Sequence, residues 1–414
     1  MNEIGKVFEG DKETRPHPQL NDDLIRTMHS VFSAARCFGV PVCGGGAARA
    51  WAALLLALHV CIEGGSVYKL VKNLAGLTAY STGNRSVVAR LSGAIFYGNA
   101  LLSLVVFWRL RAAWARLLRD WAGAERGGAL PLPPDKALRR NLWLVVAVVA
   151  VCSCVEHGMS MAANINLDYP PPIVFKEYIL NSHAFLIIPS DYSLPLGIAI
   201  FVISKAATIL WNFQDMVIIL VSLGLASRYG RLNKYVHHLT KMESISGPTG
   251  SENDSCMDEY ASLQAWRRVR EAFVRQAALV RRADAELGSL ILLSNSNNFY
   301  FICLQVFNGA GGEDGMSLNK VYYLTSVAWL CARACAVVLA AAEVNVRSRT
   351  ALGFIYEYPD RSYNVEVQRL EKQLTKDVVA LSGKGFFYLN RGILLEVVSS
   401  IIKYELVLLE FDKK

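Results

Sequence analysis

Seven long apolar blocks divide the chain, and no other feature narrows its fold so far. They run at 47–64 (extendable to 77), 88–108, 142–163, 194–226, 287–309, 321–345 and 388–411. A helix needs about 20 mostly apolar residues to cross about 30 Å of hydrocarbon. Backbone in lipid must satisfy its own hydrogen bonds, so blocks of this length are read as helices. The fourth block, at 33 residues, is about 50 Å long as a helix and must project from the bilayer or tilt. Composition agrees: 53% of residues are hydrophobic and 19% charged, against about 45–50% and about 25% in soluble domains. The expected fold class is an all-α membrane protein with seven transmembrane helices. A disordered chain, a collagen and a disulfide scaffold are excluded, and a soluble enzyme is disfavoured. Met1 to Asp23 has no apolar core, so the first block is expected to act as a signal anchor.

Basic residues set the expected orientation. The net charge is +8, but Lys and Arg fall between the apolar blocks and form no single stripe for nucleic acid. One side of the membrane receives 31 of them, in 1–49, 109–141, 227–285 and 346–385. The other receives seven, among them Lys69, Lys72, Arg85, Lys176 and Lys320, and five lie within spans. Discounting the long fourth-to-fifth connection leaves 21 against seven. The positive-inside rule then puts the N-terminus in the cytosol and the C-terminus outside. That orientation opposes a G-protein-coupled receptor, and it makes Asn84-Arg85-Ser86 an outward glycosylation sequon at Asn84.

The expected domain order follows. Residues 1–46 are a cytosolic segment, and 47–226 hold helices one to four with their outer loops. Residues 227–286 are a cytosolic linker and amphipathic helix, and 287–345 are helices five and six. A second cytosolic amphipathic helix occupies 346–387, and the seventh helix with a short outer tail occupies 388–414. Asn164 to Tyr192, with Pro170-Pro171-Pro172, reads as an ordered outer loop, and Glu243 to Glu259 as a mobile linker. Leu263, Trp266, Val269, Phe273, Ala277 and Val280 recur at helical spacing, as do Val367, Leu370, Leu374, Val378 and Leu381. Both stripes run toward spans, which suggests a cytosolic anchor bundle. Nine cysteines sit in apolar or cytosolic segments, and no structural disulfide is expected.

Metalloprotease, Walker, nucleophile-elbow and paired CxxC motifs are absent, so no enzyme activity, cofactor or metal is expected. Polar residues inside the spans are the informative ones, because hydrocarbon penalises them. Span 2 carries Tyr97 and Asn99, and span 3 carries Glu156 and His157. Span 4 carries Thr208, Trp211, Asn212 and Asp215, span 5 Asn295, Asn297, Asn298, Tyr300 and Gln305, and span 6 Tyr322, Tyr323, Ser326, Trp329 and Arg333. Carboxylates and amides bond hydroxyls, and aromatic faces stack on the C–H face of a sugar ring. The candidate ligand set is Tyr97, Glu156, His157, Trp211, Asn212, Asp215, Asn298, Tyr322, Tyr323 and Trp329. Interhelical hydrogen-bond glue is the plainer reading of any one of them. Span 7 holds Glu396, Lys403, Glu405 and Glu410, which cannot all face lipid. Val407 and Glu410 share a face. Around an axis of several copies they would form an apolar constriction and a carboxylate ring that favours cations.

The C-terminal run Lys403-Tyr404-Glu405-Leu406-Val407-Leu408-Leu409-Glu410-Phe411 resembles the closing signature of insect gustatory receptors, and most closely that of the sugar-sensing branch. Ala35-Arg36-Cys37-Phe38-Gly39, Val155-Glu156-His157, Trp211-Asn212-Phe213-Gln214-Asp215 and Asn297 through Gln305 are similar to that branch in the same order. The resemblance implies a tetrameric, sugar-gated, non-selective cation channel, homomeric or built with related gustatory receptor subunits. It implies a pocket in the outer half of the bundle, with Leu406, Val407 and Glu410 lining the pore. The partners are a sugar, other subunits, membrane lipid and permeating cations. The place is the plasma membrane of gustatory neuron dendrites and cell bodies. Lys403 stands where the family usually has Thr, and Glu410 where it has Gln. The competing function classes are a seven-span receptor acting through a cytosolic transducer and a sugar transporter, the latter disfavoured by the absence of an internal repeat.

Overall fold

Each apolar block forms a helix in the computed structural model. It describes residues 23–77, 86–126, 130, 135–165, 170–245, 252–309, 318–358 and 363–412. Side chains are not described for 125–126, 171–172, 243–245, 252–259, 308–309, 318–319 and 404–412. The helices are α1 (Asp23–Ala35), α2 (Gly46–Leu74), α3 (Val87–Arg126), α4 (Leu138–Ala163), α5 (Pro171–Ser182), α6 (Leu194–Ile245), α7 (Glu252–Gly309), α8 (Leu318–Arg349), α9 (Ala351–Tyr356), α10 (Val365–Lys376) and α11 (Gly392–Asp412). Among the described residues, α2, α3, α4, α6, α7 and α8 are each long and apolar enough to cross a membrane. The 21 residues of α11 reach about 31 Å as a helix, the length that a seventh span needs.

Helix α6 is the central post. It packs against α3, α4, α7 and α8, and touches α1, α2, α5 and α9. Its 52 residues outrun the expected 194–226, because the Arg and Asn residues beyond Ala226 do not end it. They are satisfied by neighbouring helices instead: Arg228 Nε donates to Gln276 Oε1 at 2.9 Å and Asn233 Nδ2 to the Arg347 carbonyl at 2.8 Å. The amphipathic stripe before span 5 continues unbroken into it as the 58-residue α7, and Trp266, Val269, Phe273, Ala277 and Val280 are all buried. Helices α6 and α7 also run into the flanks of the linker expected at 243–259, of which 246–251 lie outside the described residues. The amphipathic α1 inserts Met28, Val31 and Phe32 into the core. Its Phe32 ring lies 5.1 Å from Trp114 and 5.9 Å from Phe213. Gly39 ends this entry at φ 92°, a left-handed conformation that glycine adopts without a Cβ penalty.

At the end of the bundle opposite the 164–192 connection, α9 and α10 pack on the extensions of α6 and α7. Asn364 caps α10, its side chain accepting from the Glu366 and Val367 amides. Trp266 Nε1 donates to Tyr358 OH at 3.3 Å, and Arg270 Nε to Glu366 Oε2 at 2.6 Å. The second stripe is shorter as a helix than its spacing suggested. Helix α10 ends at Lys376, and Val378 and Leu381 lie in an extended segment that closes a bridge between Ser382 and Tyr388. Asp284 holds that turn through the Ser382 amide and hydroxyl.

Helix α11 packs on α7 and α8. Leu395 is 75% exposed, Val398 51% and Ile402 54%, which leaves an apolar face without cover inside one subunit. Leu406, Val407 and Glu410 continue this helix, but their side chains lie outside the described residues, as does Asn84.

Candidate functional site

A cavity of about 460 Å³ lies among α3, α4, α6, α7 and α8, at the end that carries the 164–192 connection. Its volume falls within the roughly 300–1,000 Å³ of small-molecule sites. Seven of the ten candidate ligand residues line it: Tyr97, Glu156, His157, Trp211, Asn212, Tyr322 and Trp329. Helical spacing explains the convergence. Tyr322, Ser326, Trp329 and Arg333 lie on one face of α8, and Thr208, Trp211 and Asn212 on one face of α6.

Asp215, Asn298 and Tyr323 do not line the cavity. Asp215 is fully buried in the wall behind it. Its carboxylate forms an ion pair with Arg333, Nε to Oδ2 2.8 Å, and accepts from Ser294 Oγ at 2.5 Å and from Asn298 Nδ2 at 3.1 Å. Asn298 Oδ1 in turn accepts from Trp211 Nε1 at 2.8 Å. Tyr323 OH donates to the Gln305 carbonyl at 2.8 Å. These three residues support the lining instead of forming it.

Arg333 joins the two layers. Its guanidinium pairs with Asp215, donates to Asn212 Oδ1, and lies 4.8 Å from the Trp211 ring centre and 5.9 Å from that of Trp329. A buried guanidinium needs a carboxylate beside it and acceptors for its N–H groups; Asp215 supplies the charge at 2.8 Å, and Asn212 and Asn298 accept from the two terminal nitrogens. The indoles are thereby fixed at the cavity edge, with Phe301 tilted against Trp211 at 4.8 Å between ring centres. On the next wall, Glu156 accepts from Ser326 Oγ at 2.9 Å, and Ser326 accepts from Gln305 Nε2 at 3.2 Å.

Three features escaped the sequence reading. Residues 171–182, expected as loop, form α5, whose N-terminus is set by Pro171. Through it Tyr178 and His183 fold back onto the cavity. Phe185 follows them and packs on Gly93 of α3, where a Cβ would collide with its ring. Lys205 also lines the cavity. Its Nζ donates to Tyr178 OH at 2.8 Å and lies 4.7 Å from the Phe201 ring centre. A lone lysine inside an apolar block was the available signal. Burial, with the Lys205 charge adding to it, holds the His183 imidazole down at about 4, so it is neutral near pH 7. The cavity therefore combines indole and phenol faces with one carboxylate, amides, hydroxyls and two cations. Such a lining recognises a compact, polar, hydroxyl-rich molecule.

Comparison with known proteins agrees with this chemistry. Residues 12–414 match the sequence model of the trehalose receptor family. The Drosophila melanogaster protein named gustatory receptor for sugar taste 64a is 31% identical over 337 residues, covering 78% of this chain and 69% of the relative. Gustatory receptor 5a for trehalose, from the same organism, is 27% identical over 405 residues, covering 93% and 84%. The structure of the olfactory receptor OR5 from Machilis hrabei superposes with a TM-score of 0.67 over 94% of this chain and 100% of that chain. At 12% identity that likeness speaks for the fold.

Proposed function

The chain belongs to the trehalose receptor family, a family of receptors and not of enzymes, and on that premise we propose that it is a subunit of a sugar-gated, non-selective cation channel of the plasma membrane. The observation that carries the reading is the cavity itself. Its indoles, Trp211 and Trp329, can stack on a pyranose ring, while Glu156, Asn212 and Gln305 accept from hydroxyls. Tyr97, His157 and Tyr322 complete the contact set. Asp215, Asn298 and Tyr323 act from the wall, by holding Arg333, Trp211 and Gln305.

The cytosolic N-terminus rests on the charge distribution along the chain, and it turns the cavity outward. The exposed apolar face of α11 favours assembly. Four copies placing α11 around one axis would cover Leu395, Val398 and Ile402, and would bring Leu406, Val407 and Glu410 to a pore. Two walls of the cavity, α7 and α8, are the helices on which α11 packs. A sugar drawing Trp329 and Phe301 together would thus move the supports of the pore helix. Gustatory neurons are the expected site of expression.

Calcium imaging and whole-cell current, with this chain expressed alone and then with a related subunit, test the reading against a panel of neutral sugars. Sugar-evoked current and surface labelling of a C-terminal tag on intact cells are expected. Sugar uptake without current, or a tag reached only after permeabilisation, would overturn it.

A further inference from the structure

Lys205 has no place in the contacts so far assigned to a neutral sugar. It sits inside the bundle, lines the cavity, and among the described residues has one hydrogen-bond partner, the phenol of Tyr178. The other charged lining groups are placed differently. Arg333 is matched by Asp215 at 2.8 Å. Glu156 is held on α8 through Ser326, whereas Lys205 is held on α5 through Tyr178. Among the described residues no carboxylate pairs with Lys205. Aromatic rings take up part of the charge, with Phe201 at 4.7 Å and Tyr178 at 5.2 Å. Those contacts contribute far less than a carboxylate would.

The surroundings of that ammonium are rich in donors. His157 lines the same region, and its Nε2 is buried without a hydrogen-bond partner. Asn181, Ser204 and His183 also line the cavity. An unmatched ammonium in a low-dielectric site costs free energy that an incoming anion recovers. We propose that the preferred ligand of this cavity is an acidic sugar bearing a single carboxylate, a uronic or aldonic acid, with that carboxylate on Lys205 and His157. The inference rests on the sugar-binding reading above and narrows its ligand class. The hydroxyls meet Glu156, Asn212 and Gln305, and the ring lies on the indoles. One charge is the better match, because a phosphate ester carries up to two and the second cation, Arg333, already belongs to Asp215.

Titration of the purified chain with glucuronate, glucose and glucose 6-phosphate, followed by calorimetry and by quenching of tryptophan fluorescence, tests this. Glucuronate is expected to bind at least about tenfold more tightly than glucose. Lys205→Met should abolish that preference and leave glucose within about threefold, while Lys205→Arg should retain most of it. Glucuronate binding no better than glucose overturns the inference, and so does Lys205→Met weakening both alike. Glucose 6-phosphate binding more tightly than glucuronate overturns the choice of carboxylate. The wild-type ranking needs no variant to fold. Glucose-evoked current without a glucuronate preference removes this inference alone. Absence of both binding and current for every sugar removes the proposed function with it.

Discussion

Asp215→Ala acts on stability before it acts on ligand. Asp215 is 0% exposed and the Arg333 side chain 3%, so the substitution strands a guanidinium inside the bundle. At 2.8 Å the attraction between the two charges is about 6 kcal/mol at an effective dielectric constant of about 20. Desolvation offsets part of it while both charges are present. Removing one partner exposes the whole penalty, about 3–5 kcal/mol. Asn298 Nδ2 and Ser294 Oγ lose their acceptor at the same time. The variant should therefore show a markedly lower melting temperature in detergent and reduced surface expression. The double substitution Asp215→Ala with Arg333→Met removes both charges and should recover most of the loss, giving a coupling of at least about 2 kcal/mol in a double-mutant cycle. Recovery of melting should not restore the sugar response, because Arg333 also orients Asn212 and both indoles. Wild-type stability in Asp215→Ala, or a double variant no better than the single, would refute the argument that this pair is a matched charge inside the wall.

Trp329→Ala should raise the half-maximal sugar concentration about tenfold through lost ring contact, with Trp329→Phe recovering part of it in the same dose–response assay. Gly93→Ala places a methyl in the ring of Phe185 and should shift the dose response at a cost of about 1–3 kcal/mol, whereas Gly158→Ala, which meets nothing, should leave it unchanged. The Arg270 guanidinium, with Arg369 beside it, holds the Glu366 carboxyl below the usual carboxylate range. Its contribution is therefore complete above the unfolded value of about 4.3 and is lost as pH falls through the folded one. Melting curves should show wild type above Glu366→Gln at pH 7, with the gap closing below about pH 4. Glu410→Gln should keep the sugar dose response and lower external calcium block, and Val407→Ala should raise current without sugar; whole-cell recording with external calcium varied reads both.

The sequence by itself determined that the chain crosses a membrane as helices. Hydrocarbon thickness acts on local runs of side chains, so each span is written contiguously. The same penalty made Tyr97, Glu156, His157, Trp211, Asn212, Tyr322 and Trp329 stand out, since a polar group inside an apolar block needs a partner wherever it sits. Which partner it finds is a matter of contact between helices. Asp215 and Arg333 are distant in the chain, and nothing local separates an acid that meets ligand from one that neutralises an arginine behind the wall. The reach of α6 beyond Ala226 was hidden for a related reason, because its arginines and asparagines read as a boundary until α7 and α8 supply their acceptors. Tyr178, His183 and Phe185 were hidden by the fold-back of α5, which depends on Gly93 leaving room on another helix. A lysine inside a span was the signal for Lys205, but only the packed structure brings it to the cavity and, among the described residues, leaves it without a carboxylate. Helix and span follow from the chain's own solvation, whereas the cavity follows from which faces the packed helices turn to one another.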